Sequence, residues 1–431
     1  MRILCLSNGH GEDAIAVSIL QELQQHPNPP ELAALPIVGE GLAYRNLGIP
    51  LIGSVQTMPS GGFIYMDAGQ FVRDLRGGLL KLTLEQIRAV RSWATQGGAI
   101  LAVGDIVPLL FACLSGATYA FVGTAKSEYY LRDEAGLLPR RSQAQRWEGW
   151  SGSVYHPWER WLMSRPRCKA VFPRDSLTSQ MLQKWSIPVF DLGNPMMDQL
   201  EPVKSPQLFY GSDAERQEQK LVQSSPQTSL TVTLLPGSRP PEAYANWQKI
   251  LVSVASLLQT FPNRSLLFLG AIAPWLSLEP LSQILADAGF QQVSSEGSPI
   301  PDPGALIFSH QNADLILTQH TYKECLQLAD IAIAMTGTAT EQFVGLGKPA
   351  LIIPGNGPQF TYAFAEAQSR HLGPSVTLVE QPTEVGRVVQ SLLSDPDRLQ
   401  LIGENGPRRM GKPGSARRIA TCLMERFGQS S

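Results

Sequence analysis

The sequence predicts an α/β protein of two doubly wound domains, and three observations predict it. Short apolar runs alternate with helical patterns along most of the chain, as parallel strands joined by right-handed crossovers require. The alternation lapses once, over residues 201–229, where a polar stretch broken by prolines reads as a linker, and then restarts. At 431 residues the chain is too long for one core, so two domains of ordinary size are expected. The boundaries are 1–200, the linker 201–229, 230–409, and a tail helix over 410–431. Such sheets bind ligands at the carboxyl ends of their strands, here across a cleft between two facing domains.

In the first domain, strands fit near 2–6, 32–38, 50–54, 99–103, 118–122, 169–172 and 188–192, where apolar residues run together. Helices fit near 12–25, 70–95, 106–115, 157–165 and 174–185. Residues 106–125 carry no charge and are long enough to span a bilayer. Pro108, Gly116 and Gly123 interrupt them and Ser115, Thr118 and Thr124 dilute them, so a helix over 107–115 and a strand over 118–122 fit better. In the second domain the runs LTVTLLP, SLLFLG, ALIFS, DLILTQ, DIAIAM and PALIIP read as strands. Helices are placed at 241–260, 275–288, 338–346 and 358–370.

Composition excludes several classes. With 43% hydrophobic and 17% charged residues and a net charge of −2, the chain has no basic excess for nucleic acid. Five scattered cysteines without a CxxC pair read as reduced thiols of a cytoplasmic protein, with neither disulfides nor a zinc site. Arg2 is followed by only four apolar residues before Ser7 and Asn8, which is too short for a signal peptide.

Two turns carry phosphate chemistry. In LLPGSR a strand ends in Gly237, Ser238 and Arg239 before a helix. The glycine admits close backbone approach, the helix start offers free N–H groups, and the arginine brings a forked cation. An ordinary strand–helix turn with a surface arginine is the alternative. In AMTGTATEQFVGLGKPALIIPG the residues Thr336, Gly337, Thr338, Ala339 and Thr340 open a helix that again suits a diphosphate. Threonine as a plain N-cap is the alternative there. A polar side chain one turn further in, Glu341 or Gln342, can bond a ribose diol.

On these motifs the chain resembles glycosyltransferases of the GT-B architecture, and most of all lipid A disaccharide synthase and the proteins related to it, over nearly its whole length. Leu234 to Arg239 resemble that family's phosphate turn, and Gly337 to Thr340 with Gly347-Lys348-Pro349 its donor-binding helix and following strand. Gly193-Asn194-Pro195-Met196-Met197-Asp198 is similar to the segment closing its first domain. Singly, these motifs also occur in sugar-nucleotide 2-epimerases. The resemblance implies an inverting, metal-independent transfer from a UDP-sugar held by the second domain to a lipid or glycolipid acceptor at the first. No cofactor is implied beyond the nucleotide-sugar substrate. A 2-epimerase and a non-catalytic sugar-nucleotide-binding protein are the alternatives.

The opening loop, SNGHGED, then becomes the acceptor side, with Asn8, Gly9, Gly11 and Glu12 lining it and His10 a candidate proton acceptor. A surface turn histidine is the plainer reading of His10, and first-turn acids favoured by the helix dipole the plainer reading of Glu12 and Asp13. Asp105 is the stronger base candidate: it follows an apolar strand, is alone in charge between Gly97 and Ala125, and should have a raised pKa. It matches the family's Gly-Ile-Asp segment, while an N-cap for the next helix is its structural alternative. Asn8 stands where the family has a glutamate, and the ribose glutamate falls on Gln342 with Glu341 one place earlier. Neighbours on a helix point about 100° apart, so only one of the two can face a nucleotide. Gln359 falls where related transferases touch the donor sugar, or is a helix-start polar residue.

Four of the eight tryptophans lie between Trp147 and Trp161, among Arg140, Arg141, Arg146, Arg160, Arg165, Arg167 and Lys169. Rings with cations over 147–169 suit peripheral contact with the inner face of a cytoplasmic membrane; helix packing with a basic rim is the alternative.

Overall fold

The computed structural model describes residues 1–55, 79–139, 149–200, 229–294 and 300–428. The linker expected over 201–229 lies outside them apart from Ser229. The chain divides into two compact units, residues 1–199 with 410–431 and residues 200–409. No helix among the described residues is long and apolar enough to cross a membrane.

The first unit starts with β1 (Arg2–Ser7), α1 (His10–Gln24), β2 (Glu31–Pro36) and α2 (Leu42–Asn46). It continues with α3 (Leu79–Thr95), β3 (Ala99–Gly104), α4 (Ile106–Ser115) and β4 (Thr118–Gly123). A two-stranded hairpin, β5 (Arg132–Asp133) with β6 (Gly136–Leu137), precedes α5 (Pro157–Met163), β7 (Cys168–Phe172) and α6 (Ser176–Leu182). The described strands form a parallel sheet in the order β2-β1-β3-β4-β7. Its strands are buried on both faces, which is why they read as unbroken apolar runs rather than alternating ones.

The strands expected at 50–54 and 188–192 shrink to one parallel bridge each, Ala34 with Leu51 and Val171 with Val189. Pro50 and Pro188 open these segments without an N–H to give, so each offers the edge only its carbonyl and one following amide. Counted as strands, the two bridges complete the order 3-2-1-4-5-6 with a seventh outside, the doubly wound pattern. The uncharged stretch from residue 106 is a ten-residue helix and then a strand, as the sequence implies. Of the helix expected over 70–95, residues 79–95 are helical and 70–78 lie outside the described residues.

The second unit runs β8 (Leu230–Leu235), α7 (Glu242–Thr260), β9 (Leu266–Ala271), α8 (Glu279–Asp287) and β10 (Gln291–Val293). There follow β11 (Leu306–His310), β12 (Ala313–Thr318), α9 (Tyr322–Leu328), β13 (Ile331–Ala334) and α10 (Thr338–Gly345). It ends with β14 (Ala350–Ile352), α11 (Tyr362–Leu372), β15 (Val376–Leu378), α12 (Val385–Leu393) and α13 (Pro396–Met410). The described strands pair in the order β10-β11-β12-β9-β8-β13-β14-β15, parallel from β12 onward with an antiparallel edge at β10 and β11.

The tail helix does not begin at Met410, which closes α13. Gly411, Pro413 and Gly414 break the chain, and α14 runs over Ser415–Gly428. Ile419, Ala420, Leu423 and Phe427 recur at helical spacing and pack with Ile3, Cys5, Ile19 and Leu23 of the first unit. The segment from Gly193 to Asp198 serves this return: the Asp198 carboxylate accepts from the amides of Ser415 at 3.0 Å and Ala416 at 2.6 Å. Asp198→Ala removes this N-terminal cap and is expected to cost about 0.5–2 kcal/mol, read as a lower urea midpoint at unchanged slope.

Candidate functional site

In the first unit the candidate residues gather at the carboxyl ends of β1, β3 and β4. Gly9 has a φ of 136°, which lets the chain turn from β1 straight into α1. Gly11 is different from what the sequence suggests: it lies inside α1, exposed, and a Cβ there would meet nothing within 4 Å. The His10 backbone opens α1, while its side chain lies outside the described residues. The two acids that follow are not a solvated first turn. Asp13 turns into the core, where Ser7 Oγ donates to it at 2.5 Å and Tyr44 Oη donates to Ser7 at 2.5 Å. Glu12 leans over Gly104, whose φ is 130° and where a Cβ would sit 3.2 Å from the Glu12 Cγ.

Asp105 takes the N-cap position that was its structural alternative, and it also faces Asn8. Its Oδ1 accepts the Val107 amide at 2.8 Å as the N-cap of α4, and its Oδ2 accepts from Asn8 Nδ2 at 3.2 Å. Burial raises its pKa, partly offset by those two donors. Burial pushes Glu12 further, up to about 7, with the negative charges of Asp105 and Asp13 adding to the rise.

Lys126, just past β4, was not singled out from the sequence. It bonds Glu159 Oε2 at 2.6 Å, lies 5.6 Å from the Tyr155 ring centroid, and its charge pulls the Asp105 pKa down. Its signal was available: it is the first charged residue after the uncharged stretch that ends at Ala125. In the tryptophan-rich segment, Trp150, Trp158 and Trp161 are each more than half exposed, so core packing does not account for these rings. Arg165 stacks on Trp161 at 4.6 Å and Arg160 on Trp185 at 4.1 Å. Trp147, Arg140, Arg141 and Arg146 lie outside the described residues.

In the second unit both phosphate-type turns stand at carboxyl ends of adjacent strands, β8 and β13. Gly237 lies against the Met335 carbonyl, and Ser238 and Arg239 are exposed. Gly337 occupies the N-cap of α10, so no threonine caps this helix. Thr340 instead bonds back to the Thr336 carbonyl at 2.7 Å. Thr338 is exposed beside Ala339, and Gln368 Nε2 holds the Gly337 carbonyl at 3.0 Å.

Glu341 and Gln342 are both buried and point to different neighbours. Glu341 Oε1 lies 3.4 Å from Nδ1 of the fully buried His371, and Gln342 Oε1 accepts from Tyr322 Oη at 2.6 Å. Lys348 is a helix cap: its Nζ donates to the carbonyls of Leu326, Gln327 and Ala329 at 3.1, 2.5 and 2.7 Å, closing α9. Gln359 is half-buried, and its amide and that of Phe360 donate to the Glu242 carboxylate.

Two doubly wound units with anion-suited turns at their strand ends define the GT-B class of fold. Solved structures of this fold match along the full chain. The UDP-GlcNAc 2-epimerase of Neisseria meningitidis bound to UDP-GlcNAc is 16% identical, covering 99% of this chain and 100% of its own, with a TM-score of 0.54. A putative UDP-N-acetylglucosamine 2-epimerase from Listeria monocytogenes is 13% identical over 100% and 97%, with a TM-score of 0.56. MurG of Acinetobacter baumannii is 13% identical over 98% and 99%, with a TM-score of 0.51. No family model matches the chain, and neither does any curated protein.

The raised Glu12 pKa has a stability consequence. Its contribution to folding is complete below the ordinary carboxylate range and is lost as pH rises through about 7. Glu12→Gln should therefore match the native protein at pH 4 and exceed its stability at pH 8 by about 1–3 kcal/mol, measured by urea unfolding at both values.

Proposed function

We propose that this chain is a UDP-sugar enzyme that transfers the sugar, with inversion and without a metal, to a hydroxyl of a lipid-linked or glycolipid acceptor. The observation that carries the transfer reading is the set of exposed tryptophan rings on the unit that holds Asp105 and Glu12. Trp150, Trp158 and Trp161 expose 55%, 51% and 55% of their surface; Arg165 stacks on Trp161, and Trp150 and Trp158 flank the His156 ring. Leu110 and Leu114 add exposed apolar surface one turn apart on α4, which packs against α5. Amphipathic rings with guanidinium groups match a phospholipid headgroup layer, where a lipid acceptor resides.

In this reading the acceptor oxygen attacks the anomeric carbon as the bond from that carbon to the diphosphate oxygen breaks. Asp105 takes the hydroxyl proton, helped by its buried, incompletely neutralised setting. The departing diphosphate gathers charge against the first-turn amides of α10 and the Arg239 guanidinium, which bind it more strongly as it leaves. Gln342, or Glu341 after release from His371, takes the ribose.

The likeness to two UDP-GlcNAc 2-epimerases favours a second reading, in which the same donor site epimerises its sugar with no acceptor. Incubation with UDP-N-acetylglucosamine alone separates them: epimer or eliminated sugar supports the second reading, and turnover only with added membrane lipid supports the first. For transfer, Asp105→Asn is expected to lower turnover about 10²- to 10⁴-fold while UDP affinity measured by calorimetry stays unchanged. Equal turnover in both proteins removes Asp105 from the chemistry.

A further inference from the structure

Trp275 is the most exposed large apolar side chain among the described residues, with 70% of its surface open. It is nevertheless held in place. Its Nε1 donates to the Ser238 carbonyl at 2.6 Å, which binds the indole edge to the turn that follows β8. The loop carrying it is fixed as well. Gln319 Nε2, from the end of β12, donates to the carbonyls of Ala273, Pro274 and Leu276 at 3.0, 3.2 and 2.8 Å. The Ser277 amide donates to Tyr244 Oη at 3.0 Å.

A solitary surface indole gains nothing from burial, yet four hydrogen bonds stitch this ring and its loop to the carboxyl ends of β8 and β12, and a fifth ties the loop to Tyr244 of α7. What such an arrangement offers is a flat apolar face with its polar edge already satisfied, the surface on which an aromatic base stacks. The strand order β9-β8-β13 puts the Trp275 loop two strand spacings, about 10 Å, from the start of α10, on the scale that separates a nucleotide's base from its diphosphate.

We infer that Trp275 is the stacking platform for the pyrimidine base of the nucleotide whose diphosphate occupies the α10 start, an inference that rests on the donor reading above. The ring supplies affinity through its π-face, and the Ser238 bond orients it relative to the phosphate turn.

The test is titration of UDP and of inorganic pyrophosphate into the full-length chain and its Trp275→Ala and Trp275→Phe variants. Trp275→Ala should weaken UDP about 5- to 100-fold and leave pyrophosphate unchanged, and Trp275→Phe should recover most of the loss. Native affinity for UDP in Trp275→Ala overturns the inference while leaving the donor reading intact. An equal loss for UDP and pyrophosphate also overturns it, because the indole then acts by shaping the turn. If the native protein binds neither, the donor reading falls and this inference with it.

Discussion

Both units depend on strands that run in one direction through an interior closed to water. A parallel strand buried on both faces has every backbone group paired with its neighbours, and its continuation must be a crossover that starts at its carboxyl end. That rule collects residues from distant parts of the chain on one edge. Asn8, Asp105 and Lys126 follow β1, β3 and β4, while Ser238, Trp275, Gln319 and Gly337 follow β8, β9, β12 and β13. The same dry interior raises the proton affinity of Glu12 and Asp105, since a carboxylate at the rim of an apolar sheet is poorly solvated.

The edge is held by side chains rather than by further secondary structure. Gln319 gathers three carbonyls of one loop, and the Glu242 carboxylate gathers the amides of another. At the opposite edge, where β13 and β14 begin, Lys348 gathers three carbonyls at the end of α9, at the cost of burying an ammonium whose pKa is lowered by that burial. Each substitutes for backbone partners that a loop or helix end lacks. A turn anchored this way presents amides and hydroxyls in a preset geometry, so little ordering remains to be done when a ligand arrives.

Much of the architecture was legible in the chain because burial on both faces leaves unbroken apolar runs. The short strands and helices were less so: α9 spans seven residues between two strong strands, and β15 only three, too few to show a period. Site positions could be read from their place after strands, but not the direction of their side chains. Asp13 and Glu12 are adjacent in sequence and diverge, one into the Tyr44 network and one over Gly104 at the end of β3. Gly11 resembled a loop glycine only because the turn is already complete at Gly9. The Gly347-Lys348-Pro349 motif likewise did not reveal that Lys348 caps α9, because a motif does not show which carbonyls surround an ammonium.

The return of α14 to the first unit sets an order of events during synthesis. Residues 1–199 emerge from the ribosome first, yet the apolar surface of α1 and β7 that Ile419 and Leu423 cover stays open until some two hundred further residues have been translated. The later unit has every strand it needs before the earlier one is sealed. A nascent chain of this topology therefore carries an uncovered hydrophobic strip through most of its elongation, which makes it a natural client for holding chaperones at that stage.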